Sequence, residues 1–354
     1  MTQIIDIDGK NLDKSSETEK LVKAAGIIKT GGTVVFPTET VYGLGANGLD
    51  PESVKKIFAA KGRPSDNPMI LHISDMGMLG DIAVGISHKA KELIAKYWPG
   101  PLTLVLKKSD KVPHEATGGL DTVAVRMPSH PVALKLIALA GVPIAAPSAN
   151  ISGRPSPTLS KHVIEDLYGR VDMILAGDQT EIGLESTVID LSEDNPVLLR
   201  PGSISLKQLE EVLGDVKVDK SISRKVEKGQ EVRSPGMKYR HYAPKGDMVL
   251  VKGDIERVIY TIKHLLGDAG KEGQRTVAIV PEEYIEYFVE TKALNMGSIK
   301  RPEEIMTRLY SCLRECDEYG AQMVAAPYFE NEDEFMAVNN RLSKAAGHNI
   351  IQAD

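Results

Sequence analysis

Residues 31–63 read GGTVVFPTETVYGLGANGLDPESVKKIFAAKGR, and this stretch holds the pattern that sets the fold class. Residues 33–36 are a short β-branched run bounded by turn residues, which predicts a strand. Asp50 can cap a helix and Pro51 suits the first helical position, so a helix is predicted from there until it ends near Gly62. A strand that passes into a helix is the repeating unit of α/β folds.

The same alternation continues through the first 205 residues. Further strands are predicted at residues 69–73, 102–106, 122–126, 186–190 and 197–200, with a helix at 131–140, and residues 142–146 lead into a polar loop. We therefore expect a mixed α/β domain over residues 1–215. The sequence does not give the order of its strands.

Residues 216–246 interrupt this pattern. Eight Lys or Arg residues stand against three acidic residues between Val216 and Arg240, with little apolar periodicity, which predicts a basic linker. A smaller α/β domain with a parallel sheet is expected over residues 247–354. Its strands are predicted at residues 248–252, 276–280, 293–296 and 323–327, and its helices near 254–266, 302–318 and 333–346.

Composition limits the class of protein. The net charge of −6 argues against a generally basic nucleic-acid wrapper. Cys312 and Cys316 are the two cysteines, and their spacing favours buried free thiols over a metal site or a disulfide framework. The first residues lack the features of a signal peptide, and no apolar run approaches the ~18 residues of a membrane span. These features predict a cytoplasmic protein without a membrane segment.

Two polar loops follow apolar segments and are not needed to build a core. The first carries Lys61 and Arg63, and the second carries Ser148 and Asn150. Arg suits bidentate phosphate contacts, and small polar loops with free N–H groups cradle phosphate, so the two loops predict a site for a phosphorylated ligand. The alternative is a solvated helix end and ordinary turn residues. A Walker loop is excluded, because its Gly-x-x-x-x-Gly-Lys-Ser/Thr pattern is absent.

Other polar residues leave alternatives open. The segment 38–45 is interpreted either as a turn with a packed Tyr42, or as a loop in which Glu39 orients a polar ligand or helps to hold a metal. His72 lies in an apolar strand, where a lone histidine is more often a satisfied core residue. The Gly-x-Ser-x-Gly and His-Glu-x-x-His patterns are absent, which disfavours a hydrolase triad and a zinc site.

Taken together, these motifs resemble the threonylcarbamoyl-AMP synthase family in its longer, two-domain form. The motifs that carry the resemblance are Pro37-Thr38-Glu39-Thr40-Val41-Tyr42-Gly43-Leu44, Lys61-Gly62-Arg63 with Asn67-Pro68, Trp98-Pro99-Gly100-Pro101-Leu102-Thr103, Ala146-Pro147-Ser148-Ala149-Asn150 with Ser152-Gly153, Glu185-Ser186-Thr187-Val188, Arg200-Pro201-Gly202 and Ser234-Pro235-Gly236 through His241-Tyr242-Ala243-Pro244. They span residues 30–245 in the order of the family, whereas the last 110 residues match mainly by position and pattern.

The resemblance implies an N-terminal YrdC-like twisted α/β domain, a C-terminal Rossmann-like domain and a linker that lies across the active site. It implies a nucleotidyltransferase that makes threonylcarbamoyl-AMP and pyrophosphate from L-threonine, bicarbonate and ATP with Mg²⁺. The product serves the threonylcarbamoyl modification of adenosine 37 in tRNA. Transient contact with tRNA or with the downstream transferase is implied as well.

The resemblance also assigns roles to individual residues. Lys61, Arg63, Ser148 and Asn150 are the implied catalytic residues. The implied ATP contacts are Lys61, Arg63, Asn67, Thr122, Ser148, Asn150, Ser156, Arg200, His241 and Tyr242. The implied threonine contacts are Thr40, His72, Arg126, Ala146 and Ser186. Metal ligands are not assigned.

Two other functions compete with this one. A non-catalytic RNA-binding protein would bind tRNA in a salt-sensitive manner without nucleotide turnover. A carbamoyl transferase would use carbamoyl phosphate as its donor, although such enzymes usually carry an additional zinc-binding module for which this chain lacks the cysteines.

Overall fold

The structure of the protein, a computed structural model, describes residues 1–222 and 242–353. These residues form two compact units. The first comprises residues 1–152 and 156–222, and the second comprises residues 153–155 and 242–353. Both units combine helices with sheet, which confirms the predicted α/β class. Most of the predicted linker, residues 223–241, lies outside the described residues.

The first unit holds eight helices and twelve strands among its described residues. The helices are α1 (Ser15–Lys29), α2 (Pro51–Lys61), α3 (Met76–Ile82), α4 (His88–Tyr97), α5 (His114–Thr117), α6 (Pro131–Ala140), α7 (Ser160–Leu167) and α8 (Leu206–Leu213). The strands are β1 (Gln3–Asp6), β2 (Val34–Phe36), β3 (Gly43–Asn47), β4 (Ile70–His72), β5 (Ala83–Val84), β6 (Leu102–Lys108), β7 (Thr122–Arg126), β8 (Ile144–Ala145), β9 (Met173–Ala176), β10 (Thr187–Asp190), β11 (Val197–Arg200) and β12 (Lys217–Val218).

These strands form one mixed sheet in the order β1-β9-β2-β3-β8-β4-β7-β6-β10-β11-β12, with β5 paired to β6. Its centre is antiparallel from β2 through β3 and β8 to β4, and β4 then pairs with β7 in parallel. Strand β12 pairs with β11, so residues 217–218 of the predicted linker belong to this sheet. Because neighbouring strands in the sheet are often not consecutive in the sequence, residues distant in sequence lie next to each other.

Helices α1 and α6 pack together over one part of this sheet. Their apolar residues form one core with the inward side chains of β2 and β9. Leu21 and Ile28 of α1 and Leu136 of α6 are fully buried there. The i, i+4 and i+7 spacing of such residues places them on one helix face, which explains why both segments are helical.

Helix α2 delivers Lys61 to the polar centre of the unit. The Asp50 side chain accepts hydrogen bonds from the backbone N–H groups of Glu52 and Ser53, and Pro51 occupies the first turn. The helix ends at Gly62, whose φ of 62° is the left-handed conformation that glycine adopts without strain. The predicted start and end of this helix are confirmed.

The second unit is built on a parallel sheet in the order β15-β14-β16-β13-β17. Its strands are β13 (Asp247–Lys252), β14 (Thr276–Val280), β15 (Lys292–Asn295), β16 (Met323–Pro327) and β17 (Ile350–Gln352), and its helices are α9 (Ile255–Lys271), α10 (Pro302–Tyr319) and α11 (Glu332–Ala345). The apolar face of α9 packs on this sheet. The predicted parallel sheet is confirmed, and β17 is a strand that the sequence analysis left unassigned.

The two cysteines and the segment 38–45 are buried in the fold. Cys312 and Cys316 are free and buried, as predicted. Of the segment 38–45, residues 43–45 belong to strand β3 and are not in a turn. Tyr42 is buried, and its hydroxyl donates to the carbonyl of Gly177 at 2.8 Å. Among the described residues, no helix is long and apolar enough to cross a bilayer.

The close approach of Gly202 to strand β10 gives a test of the packing. A Cβ atom at Gly202 would lie 2.5 Å from the backbone nitrogen of Thr187 and 2.8 Å from the carbonyl oxygen of Glu185. We expect Gly202→Ala to lower the free energy of unfolding by about 1–3 kcal/mol, because backbone atoms must shift. Thermal or urea unfolding measures the change.

Gly26→Ala is the matched control for this substitution. Gly26 lies inside α1 with open space around the added methyl group. It should stabilise the protein by about 0.5–1 kcal/mol, because alanine favours the helix. Equal effects of the two substitutions would contradict the close contact at Gly202.

Candidate functional site

Lys61 holds the second polar loop through its ammonium group. The side chain is 3% exposed. Nζ donates to the carbonyl oxygen of Ser148, to that of Asn150 at 2.6 Å and to Asn150 Oδ1 at 3.4 Å. An ammonium group carries three protons, so these acceptors account for all of them. Desolvation by burial, followed by the nearby charge of Arg63, holds the pKa of Lys61 well below its ordinary value.

The loop 146–150 is fixed from its other side as well. The backbone N–H of Leu44 donates to the carbonyl of Pro147 at 2.9 Å, and that of Ala149 donates to the carbonyl of Tyr42 at 2.8 Å. Within the loop, the Ser148 hydroxyl donates to Asn150 Oδ1 at 2.6 Å. The two predicted loops therefore meet, and the side chains of Ser148 and Asn150 are held in set positions.

Asn67 is a buried amide in the first polar loop. Its side chain is 0% exposed, and neither Oδ1 nor Nδ2 has a hydrogen-bond partner among residues 1–222 and 242–353. Arg63 lies beside it, donating from Nη2 to the carbonyls of Asn67 at 3.3 Å and Pro68 at 3.0 Å. Buried polar groups normally have partners, so the Asn67 amide is a candidate for contact with a ligand.

Thr122 stands at the same end of the sheet as this loop. Strands β4 and β7 run parallel with Ile70 opposite Ala124, so the start of β7 at Thr122 lies at the end of the sheet where the chain enters β4 from this loop. Arg126 stands at the other end of β7. Four residues of strand separate the two positions by about 13 Å.

A buried ion pair lies at the Arg126 end. Arg126 Nη2 lies 2.7 Å from Glu39 Oε1, and both side chains are buried. Arg126 Nη1 donates to Thr40 Oγ1 at 2.8 Å, and Nε donates to the carbonyl of Gly100 at 3.2 Å. Burial raises the pKa of Glu39, but the Arg126 charge and the hydrogen bonds to the carboxylate together outweigh it, so the pKa lies below its ordinary value and the carboxylate stays ionised.

His72 completes this end of the site. It pairs in register with Arg126 and Ile144 on the neighbouring strands and is buried. Its Nδ1 lies 3.2 Å from the carbonyl of Ile70. Burial, reinforced by the Arg126 charge, lowers the pKa of His72 to about 3. The imidazole is therefore neutral at pH 7.

Ser186 lies in a second buried polar cluster. Its hydroxyl shares a hydrogen bond of 2.7 Å with Thr103 Oγ1 and accepts from Arg200 Nη2 at 3.1 Å. Arg200 Nε donates to the Ser186 carbonyl at 3.0 Å. Next to Ser186 in sequence, Glu185 accepts from the Ser156 hydroxyl at 2.6 Å. Ser156, Ser186 and Arg200, all assigned by the resemblance, are thus joined through residues 185–186.

The sequence as a whole was compared with known proteins. Two family models match it, one described as telomere recombination over residues 26–202 and one described as the C-terminal domain of threonylcarbamoyl-AMP synthase over residues 204–347. A threonylcarbamoyl-AMP synthase from Pyrococcus abyssi is 47% identical over 346 residues, which covers 97% of this chain and 98% of that protein. The chain belongs to the threonylcarbamoyl-AMP synthase family. The synthase from Bacillus subtilis is 44% identical over 96% of both chains.

Solved structures agree with this membership in the threonylcarbamoyl-AMP synthase family. The crystal structure of Pyrococcus abyssi Sua5 complexed with L-threonine matches with a TM-score of 0.92 at 46% identity and covers 100% of both chains. A variant of the same protein with a histidine and a tyrosine changed to alanine matches with a TM-score of 0.91, covering 99% of this chain and 98% of that one. The two-domain α/β fold implied by the resemblance is confirmed.

Some residues assigned by membership in this family stand apart from the clusters above. Ala146 is buried next to the second loop, and its backbone N–H donates to the carbonyl of Ile70 at 3.0 Å. Tyr242 is buried in the second unit, with its ring 5.1 Å from that of Tyr310. His241 lies outside the described residues. The roles of these residues stay predictions.

The structure adds residues that the sequence analysis did not assign to a ligand. Thr103 belongs to a quoted motif, yet the 2.7 Å contact with Ser186 depends on the pairing of β6 with β10. The sequence left the role of Glu39 open: it could lie in a turn with a packed Tyr42, orient a polar ligand or help to hold a metal. Its contact with Arg126 could not be predicted, because the two residues are 87 positions apart in the sequence and are brought together by the order of the strands.

Removing the Lys61 ammonium group tests its part in the loop. We expect Lys61→Met to lower the free energy of unfolding by about 1–3 kcal/mol, because the carbonyls of Ser148 and Asn150 lose their buried donor. Lys56→Met is the control, since Lys56 is exposed and also donates to a carbonyl, that of Gly31. Urea unfolding of both variants measures the difference, and equal losses would contradict the role given to Lys61.

The buried neutral His72 predicts a specific acid sensitivity. Its pKa of about 3 in the fold lies below the ordinary 6.5, so the unfolded chain binds more protons between these values and stability falls as the pH drops through this window. Between pH 7 and pH 4 the loss from this group should be about 2–3 kcal/mol. Chemical unfolding at both pH values checks it: His72→Gln should lose correspondingly less, and an identical pH dependence would refute the assignment.

Proposed function

We propose that this chain is a threonylcarbamoyl-AMP synthase that joins L-threonine, bicarbonate and AMP, with release of pyrophosphate from ATP. It acts as a nucleotidyltransferase, and its product supplies the threonylcarbamoyl modification of adenosine 37 in tRNA. The observation that carries the proposal is the match over the whole chain to the Pyrococcus abyssi protein that was crystallised with L-threonine.

The free donors of Arg126 support an amino-acid site at one end of the sheet. A guanidinium has five N–H groups, of which Nε–H is used by Gly100 and one on Nη1 by Thr40. Nη2 lies 2.7 Å from Glu39 Oε1 but makes no hydrogen bond to the described residues, so N–H groups on both Nη1 and Nη2 remain for a ligand. Two such parallel donors fit a carboxylate in a bidentate manner, which suits the carboxylate of threonine.

The hydroxyl-bearing side chains support threonine over larger amino acids. Thr40 lies against Arg126, and Ser186 lies in the cluster with Thr103 and Arg200. The imidazole of His72 is neutral, so it adds a hydrogen-bonding group without adding charge to the Glu39–Arg126 pair. A small ligand with a carboxylate and a hydroxyl matches this set of groups.

The other end of the sheet supports a nucleotide site. Asn67 offers a buried amide with a donor and an acceptor, as nucleobase recognition requires, and Arg63 lies beside it. The further nucleotide contacts assigned by the resemblance are Thr122, Ser148, Asn150, Ser156, Arg200, His241 and Tyr242. Of these, Arg200 is hydrogen-bonded to Ser186, a residue assigned to threonine. Lys61 contributes by holding Ser148 and Asn150, and its direct contact with phosphate stays a prediction.

The chemistry follows from this arrangement. The amino group of threonine takes up CO₂ derived from bicarbonate to form a carbamate, whose oxygen attacks the α-phosphorus of ATP, and pyrophosphate leaves. Fixed cationic donors such as Arg63 and Arg200 stabilise charge that builds on the phosphate oxygens. Burial of the amino-acid end keeps water from the unstable carbamate.

Mg²⁺ is proposed to arrive with ATP. Among the described residues, no group of three His, Cys, Asp or Glu side chains is placed to hold a metal. We therefore propose that the phosphates of ATP hold the ion, because Mg²⁺ in nucleotide sites uses phosphate oxygens, waters and few carboxylates. Bound there, Mg²⁺ neutralises phosphate charge. A cytoplasmic location and transient contact with tRNA or the downstream transferase remain part of the proposal.

Two substitutions test the two ends of the site against each other. Arg126→Lys should raise the KM for threonine by about 10- to 100-fold and change the KM for ATP little, because Lys cannot replace the bidentate contact. Asn67→Leu should raise the KM for ATP and change the KM for threonine little. Release of pyrophosphate at varied threonine and ATP measures both constants. If each variant shifts both constants equally, the division into two ends is wrong.

The same assay separates the competing functions. The proposed synthase releases pyrophosphate when ATP, threonine and bicarbonate are all present. Carbamoyl phosphate that replaces bicarbonate and restores product would favour the carbamoyl transferase. Salt-sensitive tRNA binding with no pyrophosphate under any condition would favour the RNA-binding protein.

A further inference from the structure

The carboxylate of Glu39 has one engaged and one free oxygen. Oε1 lies 2.7 Å from Arg126 Nη2 and accepts from the backbone N–H of Ser129 at 3.0 Å. Oε2 is buried and has no hydrogen-bond partner among residues 1–222 and 242–353. The side chain is 3% exposed. Buried carboxylate oxygens normally have donors, so Oε2 requires one that the described chain does not supply.

The geometry limits where that donor can be. The two oxygens of a carboxylate are separated by less than twice the C–O bond length of about 1.23 Å, so Oε2 lies within about 5 Å of Arg126 Nη2. A ligand carboxylate that takes the remaining donors of Arg126 brings its own α-substituents into this range. The α-amino group of an amino acid is the cationic donor closest to its carboxylate.

The charges around Glu39 are consistent with a cationic partner. The ionisable groups that face it are Arg126, His72 and His130, and both histidines are held towards their neutral forms by burial. A carboxylate that pairs with Arg126 and then receives a substrate carboxylate on the same guanidinium leaves that cluster with one negative charge in excess. A substrate ammonium group restores neutrality.

We propose that Glu39 is a further substrate-recognition residue, whose free oxygen Oε2 accepts a hydrogen bond from the α-amino group of the amino-acid substrate while Oε1 positions Arg126. This inference rests on the proposed function, because it places the substrate carboxylate on Arg126. It assigns to Glu39 the selection of amino acids over carboxylic acids of the same shape.

A pair of ligands tests this role directly. L-threonine and 3-hydroxybutanoate share the carboxylate and the hydroxyl, and 3-hydroxybutanoate lacks the amino group. We expect calorimetric titration of the full chain to show that Glu39→Gln weakens L-threonine binding by about 10- to 100-fold, the range of a lost hydrogen bond to a charged group. Binding of 3-hydroxybutanoate should change far less.

A purely structural role gives a different result. If Glu39 acts only by holding Arg126, both ligands lose affinity by the same factor in Glu39→Gln, and the inference is overturned. Glu39→Asp, which keeps the charge on a shorter side chain, should retain part of the preference for L-threonine. If Glu39→Gln melts at a much lower temperature than the unmodified chain, the affinities of Glu39→Asp for the two ligands decide the test.

Failure of the inference is distinguishable from failure of the proposed function. An unmodified chain that binds neither L-threonine nor 3-hydroxybutanoate contradicts the proposed function itself. An unmodified chain that binds L-threonine, together with equal losses for both ligands in the Glu39 variants, contradicts the inference alone.

Discussion

The buried ion pair between Glu39 and Arg126 is the interaction on which the amino-acid end of the site depends. Removing one partner of such a pair leaves an uncompensated buried charge, at a cost of about 3–5 kcal/mol. The pair joins the turn after β2 to the last residue of β7, two segments brought together by the strands β3, β8 and β4 between them. It fixes the direction of the guanidinium, and with it the position of Thr40. One contact thus stabilises the fold at this end and positions the guanidinium proposed to bind the amino acid.

The proposed nucleotide end is organised on a different principle. There the Lys61 ammonium group holds carbonyl oxygens of the loop 146–150, while Arg63 and the buried amide of Asn67 lie nearby as the groups proposed to contact the nucleotide. The loop is also tied to residues 42–44, which lead back towards Glu39. Both ends therefore share the segment between β2 and β3, and movement of that segment would affect both substrates.

Local signals in the sequence were sufficient for many elements. The helix at residues 131–140 and the strand at 122–126 have the predicted bounds, because a proline and a C-terminal glycine define the first and β-branched residues the second. Strand β3 was not predicted, since its glycines give a turn-like composition. Glycine is required at position 45, because a Cβ atom there would lie 2.6 Å from the Phe36 ring and 2.7 Å from the Ile144 side chain. The order of the strands could not be predicted, because it depends on contacts between distant segments.

The site was predictable to the same degree. Motif composition gave the residue types and grouped Lys61 with Ser148 and Asn150, which the structure joins. It did not give the burial of Lys61, the pairing of Glu39 with Arg126 or the contact of Thr103 with Ser186, each of which arises from strand pairing.

The most direct test of the account is mass spectrometry of the product formed from ATP, L-threonine and ¹³C-labelled bicarbonate. The account predicts one adenylate that contains threonine and carries the label, formed when all three substrates are present. An adenylate without the label, or no adenylate at all, would contradict it.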